Sequence, residues 1–353
     1  MEDQTTVRGT APRGGAGPAL AGGPPATRTA GDPPTAPPAG GAPTKPAATI
    51  TKTWRQRLRA DWPLVAMTLP AIGLLLVFHY APLLGNVIAF QDYSPFVGIR
   101  DSQFVGFWHF SRFFTDPLFW RATGNTLLIT AFQLVFFFPV PIALALLLNS
   151  ILNSRVRVFV QSVVYLPHFF SWVLVITLFQ QILGGAGLVS QILRESGNSP
   201  LGIMTDPDTF ILLVTSEMVW KDAGWGTIIF LAALSTVNQS LYEAAAADGA
   251  GRWRRTWHIT LPALRPVIVL LLILRLGDAL TVGFEQFILQ RNAVGSRAAE
   301  VLDTYVYYTG IVNGDYSYAA AVGLFKGLFG LALILAANRI AHVFGEQGVY
   351  SRS

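Results

Sequence analysis

The chain has 353 residues, of which 52% are hydrophobic and only 13% charged, where a soluble domain carries about 25% charged residues. A membrane protein is therefore indicated before any motif is read, and the formal charge of +5 matters less than where it falls. Without cysteine there can be no disulfide, thiolate metal site or cysteine nucleophile, and no Gly-x-x-x-x-Gly-Lys-Ser/Thr phosphate loop occurs, so any ATP used must be hydrolysed by another chain.

Residues 1–55 are dominated by Ala, Pro, Gly and Thr and cannot bury enough apolar surface to offset their ordering entropy, which predicts a disordered cytoplasmic tail. They lack the apolar core of a signal peptide. An all-α body is expected over 56–345, with six apolar spans at about 62–90, 125–148, 158–183, 209–234, 267–288 and 318–337. A short cytoplasmic tail, 346–353, follows. Pro139 and Pro141 in the second span and Pro167 in the third are expected to kink their helices. The outer segment from the first span to Gly124 carries interfacial aromatic runs, Phe104 to Phe107 and Asp116 to Trp120.

Charge bias orients these spans. With the N-terminus inside, the inner loops and flanks carry twelve Lys and Arg, among them Lys52, Arg55, Arg155, Arg157, Arg252, Arg254 and Arg255, against six in the outer loops. Both termini and the loop 235–266 are then expected in the cytosol.

That loop holds the most informative stretch. Ser240-Leu241-Tyr242-Glu243 has the form of a capping box, four alanines from Ala244 to Ala247 favour helix, and Gly249 is placed to end it in a left-handed turn. A second amphipathic piece carries Trp253, Trp257 and Ile259 among arginines, and Leu261-Pro262 opens the next helix.

The order Glu243-Ala244-Ala245, three residues, Gly249, nine residues, Ile259, one residue, Leu261-Pro262 resembles the cytoplasmic signature of membrane subunits of bacterial ABC importers. Four further stretches, Tyr165 to Trp172, Trp220 to Trp225, Gly283 to Gln286 and Asp303 to Tyr307, are similar to the carbohydrate permeases of that family, in the LplB-type branch linked to oligosaccharide uptake. The resemblance runs over about residues 55–350 and implies a type-I importer permease fold with a cytoplasmic coupling helix between spans four and five. It implies that Glu243, Ala244, Ala245, Asp248, Gly249, Ala250, Ile259, Leu261 and Pro262 couple the chain to a separate ATPase. The implied partners are a second homologous permease, an ATPase dimer, an extracytoplasmic sugar-binding lipoprotein and a carbohydrate, in a bacterial plasma membrane. No cofactor is implied. The sequence departs from the family at Ala247, where isoleucine is usual.

Ionisable groups inside apolar spans are costly unless they face protein or water. Glu217 and Lys221, spaced i, i+4, and Arg275 and Asp278, spaced i, i+3, either pair locally to make insertion tolerable or line a polar pathway. Trp220, Trp225, Phe284, Glu285 and Gln286 supply the mixture of rings and hydrogen-bonding groups that suits a sugar, although tryptophans also mark membrane surfaces. His79, His109, His168, His258 and His342 are scattered without ligand spacing, and no metal is expected. An ion-gradient-driven secondary transporter is the alternative; it would show inverted repeats, and no convincing one is present.

Overall fold

The computed structural model describes residues 61–343 and Gly345. The expected tails, 1–55 and 346–353, lie outside them. The chain divides into two units, Met1–Met67 and Thr68–Ser353.

A continuous helical run, α1 (Trp62–Phe90), is α-helical to Leu75, widens to a π turn over Leu76–Tyr80 and tightens to 3-10 over Gly85–Phe90. Phe78 and Leu84 are 74% and 79% exposed, so this helix is apolar on its outer surface, as a lipid- or protein-facing helix must be. A two-stranded antiparallel ribbon, β1 (Gln91–Asp92) and β2 (Gln103–Phe104), leads to the short α2 (Trp108–Arg112). Then come α3 (Pro117–Phe136), α4 (Pro139–Asn149), α5 (Ser154–Tyr165), α6 (Trp172–Leu183) and α7 (Leu188–Glu195). The second half comprises α8 (Phe210–Ser235), α9 (Gln239–Ala247), α10 (Arg252–Arg255), α11 (Leu261–Gly277), α12 (Glu285–Val294), α13 (Ser296–Ala299), α14 (Leu302–Tyr307) and α15 (Tyr316–Val343).

Among the described residues five runs are long and apolar enough to cross a bilayer: Trp62–Phe90, Pro117–Asn149, Trp172–Glu195, Arg252–Gly277 and Tyr316–Val343. At 26 residues α8 has the length, but Glu217, Lys221 and Asp222 lower its apolarity. Several expected boundaries are corrected. The second run starts at Pro117 rather than Asn125, because the Asp116 carboxylate caps it, accepting from the Leu118 and Phe119 amides at 2.8 and 3.3 Å. Phe119, expected at the interface, is a core residue. The third span, 158–183, is not one helix. Pro167 cannot donate, and α5 gives way to a 3-10 turn, Leu166–Phe169, before Ser171 caps α6. The fifth starts earlier and stops at Gly277, so that Ile288 belongs to α12, and the sixth extends to Val343. Pro139 and Pro141 sit in the first turn of α4, where a missing amide is harmless, and the regular α-helix is interrupted just before them by a turn at Phe137 and Phe138.

Three apolar cores hold these pieces. One joins α3, α6, α8 and α12 through Ile129, Ile176, Phe210, Leu213 and Phe287. Another gathers α2, α3, α14 and α15 around Phe113, Phe119, Leu302 and Tyr318. The third packs Ala145 of α4, Phe230 and Leu234 of α8 and Leu264 of α11. Beside the second core, Asp116 also accepts from the hydroxyls of Tyr305 and Tyr318. Burial opposes its charge, but these bonds and the two amides together hold the carboxyl below its ordinary range.

The crossing of α5 and α8 is set by Gly224, where an added Cβ would lie 2.1 Å from the Val164 carbonyl oxygen. A backbone oxygen cannot swing aside, so the helices must separate. Gly224→Ala is expected to cost about 1–3 kcal/mol, read as a lower thermal unfolding midpoint of the purified protein. An unchanged midpoint would refute this close approach.

Candidate functional site

The loop 235–266 folds as expected in outline and differs at its start. Helix α9 begins at Gln239, and its cap is Asn238, whose side chain accepts from the Ser240 amide at 3.0 Å. Ser240 is therefore inside the helix, and the expected capping box at Ser240 and Glu243 does not form. Asn is as good a cap as Ser, and its placement two residues upstream adds half a turn. At the other end Gly249 has φ +74°, and the Gly249 and Ala250 amides donate to Ala246 O and Ala245 O at 3.1 and 2.8 Å. This is the paired closure that lets a chain reverse after a helix.

Glu243, Ala244, Asp248 and Gly249 are exposed, as are Ala246 and Ala247, whereas Ala245 and Ala250 are half-buried. The C-terminal half of α9 therefore presents alanine methyls, with the Glu243 carboxylate before them at mid-helix and Asp248 after them. After Gly251, α10 runs into a π turn, Thr256–Thr260, and then without a break into α11. Ile259 and Leu261 are half-buried, and Pro262 is exposed in the first turn of α11. Tyr242 Oη lies 3.0 Å from Thr260 Oγ1, which is itself buried, so α9 is tied sideways to the foot of α11.

Inside the bundle the structure separates the expected polar residues into three groups. Glu217, fully buried, accepts at one oxygen from Gln286 Nε2 and Gln290 Nε2, both at 2.8 Å. Of the two alternatives for Glu217, local pairing with Lys221 does not form; its partners are amide donors from a different helix. Lys221 donates to His168 O at 2.7 Å and lies over the Trp172 ring. His168 Nδ1 is 2.9 Å from Asp222 Oδ1, and its ring stacks on Trp225 with centroids 4.4 Å apart. Two of the sequence stretches singled out above, Tyr165 to Trp172 and Trp220 to Trp225, are therefore in contact.

Trp220 is half-buried against Phe170 and Phe179. Trp225, Phe284 and Glu285 are exposed, with Phe284 against Tyr307. Arg275 donates to Gln133 Oε1 at 2.7 Å across to α3. Lys326, which had no evident partner in the sequence, pairs with Asp303. Gln290, Gln133 and Asp303 were not singled out as partners. Gln286 and Gln290 are spaced i, i+4, which was a legible sign that one face of α12 meets a polar group.

Residues 137–346 match the profile of the family described as the binding-protein-dependent transport system inner membrane component. The chain belongs to this family. It is 48% identical over 288 residues to the polygalacturonan/rhamnogalacturonan transport system permease protein YteP of Bacillus subtilis (strain 168), covering 81% of this chain and 90% of that one. It is 44% identical to protein LplB of the same organism, over 84% and 94% of the two chains. A chain of a bacterial alginate ABC transporter, solved in complex with an alginate pentasaccharide-bound periplasmic protein, superposes with a TM-score of 0.76 at 37% identity, covering 84% of this chain and all of that one. As a member of this family the chain is a multi-pass membrane permease and not an enzyme, and ATP hydrolysis belongs to a separate subunit. The ion-gradient alternative is set aside by the same finding.

The Glu217 cluster yields a discriminating prediction. Gln at 217 keeps an acceptor for both amides, so Glu217→Gln should leave the unfolding midpoint of the permease within a degree or two. Glu217→Ala takes one acceptor from each of two buried amides, leaving them only Val214 O and Gln286 O, and should cost about 1–3 kcal/mol. Equal loss in both variants would mean that the charge, not the hydrogen bonding, holds α8 to α12.

Proposed function

We propose that this chain is the permease subunit of an ATP-driven carbohydrate importer, forming half of a translocation pathway and driven through α9. The family supports a binding protein and an ATPase as partners. The names of the relatives, which specify polygalacturonan/rhamnogalacturonan and alginate, favour an oligosaccharide as cargo. In this reading α8 is the sixth span, its charges tolerated because Glu217 and Lys221 are buried against α12 and the turn at His168. Both termini and the loop 235–266 face the cytosol. A second homologous permease supplies the other half of the pathway, two ATPase subunits sit below, and a lipoprotein delivers sugar from outside.

The observation that carries the proposal is the geometry of α9: a short, exposed, alanine-surfaced helix, turned back by Gly249 and bonded to the foot of a membrane-crossing helix. Alanine methyls allow another protein's backbone to come close, and Glu243 and Asp248 on either side of the alanines fix polarity and register. A push on α9 passes to α11 through Tyr242 and Thr260 and through the unbroken run Arg252–Gly277. Closure of the ATPases on ATP then opens the pathway outward, and their release returns it to the inward state.

The pathway wall is assigned to Trp220, Trp225, Phe284 and Glu285, with Glu217, Lys221 and Gln286 behind them. Exposed rings suit the apolar faces of sugars, and Glu285 and the buried amides suit hydroxyls. Glu217 Oε1 is buried without a hydrogen-bond partner among the described residues, so the cluster has acceptor capacity that a sugar hydroxyl could use as the helices part.

Gly249→Pro places a residue fixed near φ −65° where the chain needs +74°. Together with Ala246→Glu, which puts a bulky charge on the docking face, it is expected to abolish co-purification of the ATPase while membrane insertion is retained. Undiminished co-purification with both variants would remove α9 as the docking element. For the wall, the double variant Trp220→Ala, Glu285→Ala should lower uptake at least about tenfold with the ATPase still bound; wild-type uptake would overturn that assignment.

A further inference from the structure

Where α4 ends and the run into α11 begins, a cavity of about 390 Å³ opens between Asn149, Ser150 and Leu152 on one side and Gln239, Arg252 and Arg255 on the other. Its hydroxyls are already engaged. Ser150 Oγ donates to Leu147 O, Thr256 Oγ1 donates to Arg252 O, and Tyr242 and Thr260 bond each other. The guanidiniums of Arg252 and Arg255 have neither a hydrogen bond nor a carboxylate partner among the described residues, and no acidic side chain lines the cavity. Two uncompensated positive charges and the residues Asn149 and Gln239 therefore line one open cleft.

The cavity also has an apolar edge. Leu146 and Leu152 line it, the latter 90% exposed, and Trp253 and Trp257 stand next in sequence to its arginines at 85% and 65% exposure. Both α4 and α11 belong to membrane-crossing runs, so their adjoining ends lie at the bilayer surface, the level at which exposed tryptophan is favoured.

We propose that this cavity binds the phosphate of an anionic phospholipid, with Arg252 and Arg255 on its oxygens and the acyl chains leaving over Leu146 and Leu152. A free phosphate would satisfy the guanidiniums equally well; the leucines and tryptophans favour one carried on lipid. The assignment needs only the cavity's place at the ends of two crossing helices. It depends on neither the docking of the ATPase nor the side of the membrane that this end faces.

The test titrates the purified transporter complex with phosphatidylglycerol or phosphatidylcholine and counts bound lipid by native mass spectrometry. The wild type is expected to prefer phosphatidylglycerol, Arg252→Gln/Arg255→Gln to weaken that binding by about tenfold or more, and Arg252→Lys/Arg255→Lys to keep most of it. Excess inorganic phosphate should not displace the lipid. Equal binding of the two lipids, or of phosphatidylglycerol to wild type and the Gln pair, would overturn the proposal, and displacement by inorganic phosphate would overturn the lipid as its source. If the Gln pair fails to assemble, lipid preference and phosphate competition in the wild type still decide.

Discussion

Tyr242 and Thr260 meet at 3.0 Å, and through that contact an exposed helix that crosses nothing is joined to one that crosses the membrane. A hydroxyl pair contributes only about 1 kcal/mol, too little to carry a mechanical load alone. Its effect is to fix direction. Gly249 and Ala250 close the C-terminus of α9 on Ala246 and Ala245, and the unbroken run Arg252–Gly277 leads from its foot to the buried Leu264 and Ile273, the route that the proposed coupling uses.

Inside the bundle four of the ionisable side chains find partners on other elements. Glu217 is held by α12, Lys221 by the turn at His168, Arg275 by α3 and Lys326 by Asp303 of α14. Such bonds stand in for water that a bilayer cannot supply, and each ties two separate elements together. The polar residues that make insertion tolerable are thus placed where helix movement would have to break or exchange them.

Much of this was legible in the sequence, and the reasons are local. Apolar length marked the crossing runs, and Gly249 announced its turn because few other residues accept positive φ. What the sequence concealed depends on distant neighbours. The i, i+4 spacing suggested Glu217 with Lys221, yet each bonds across the bundle, since helical spacing says which residues share a face and not what faces them. The broken third span was hidden because no Lys, Arg, Asp or Glu interrupts residues 158–183; Pro167 was the sign, and it ended the helix instead of bending it. The cap at Asn238 was overlooked in favour of Ser240 because both are good caps, and only the backbone path chooses between them.

The absence of native cysteine makes the central claim directly accessible. A single Ala246→Cys on the outward face of α9 can be paired with single cysteines on the ATPase in the assembled transporter, and disulfide yield followed with and without ATP. The account predicts a cross-link to the ATPase from Ala246→Cys, altered in yield by ATP, and none from Phe104→Cys, in the ribbon that precedes the crossing run Pro117–Asn149. No cross-link from Ala246→Cys, or labelling of that residue by a membrane-impermeant maleimide added outside intact cells, would contradict it.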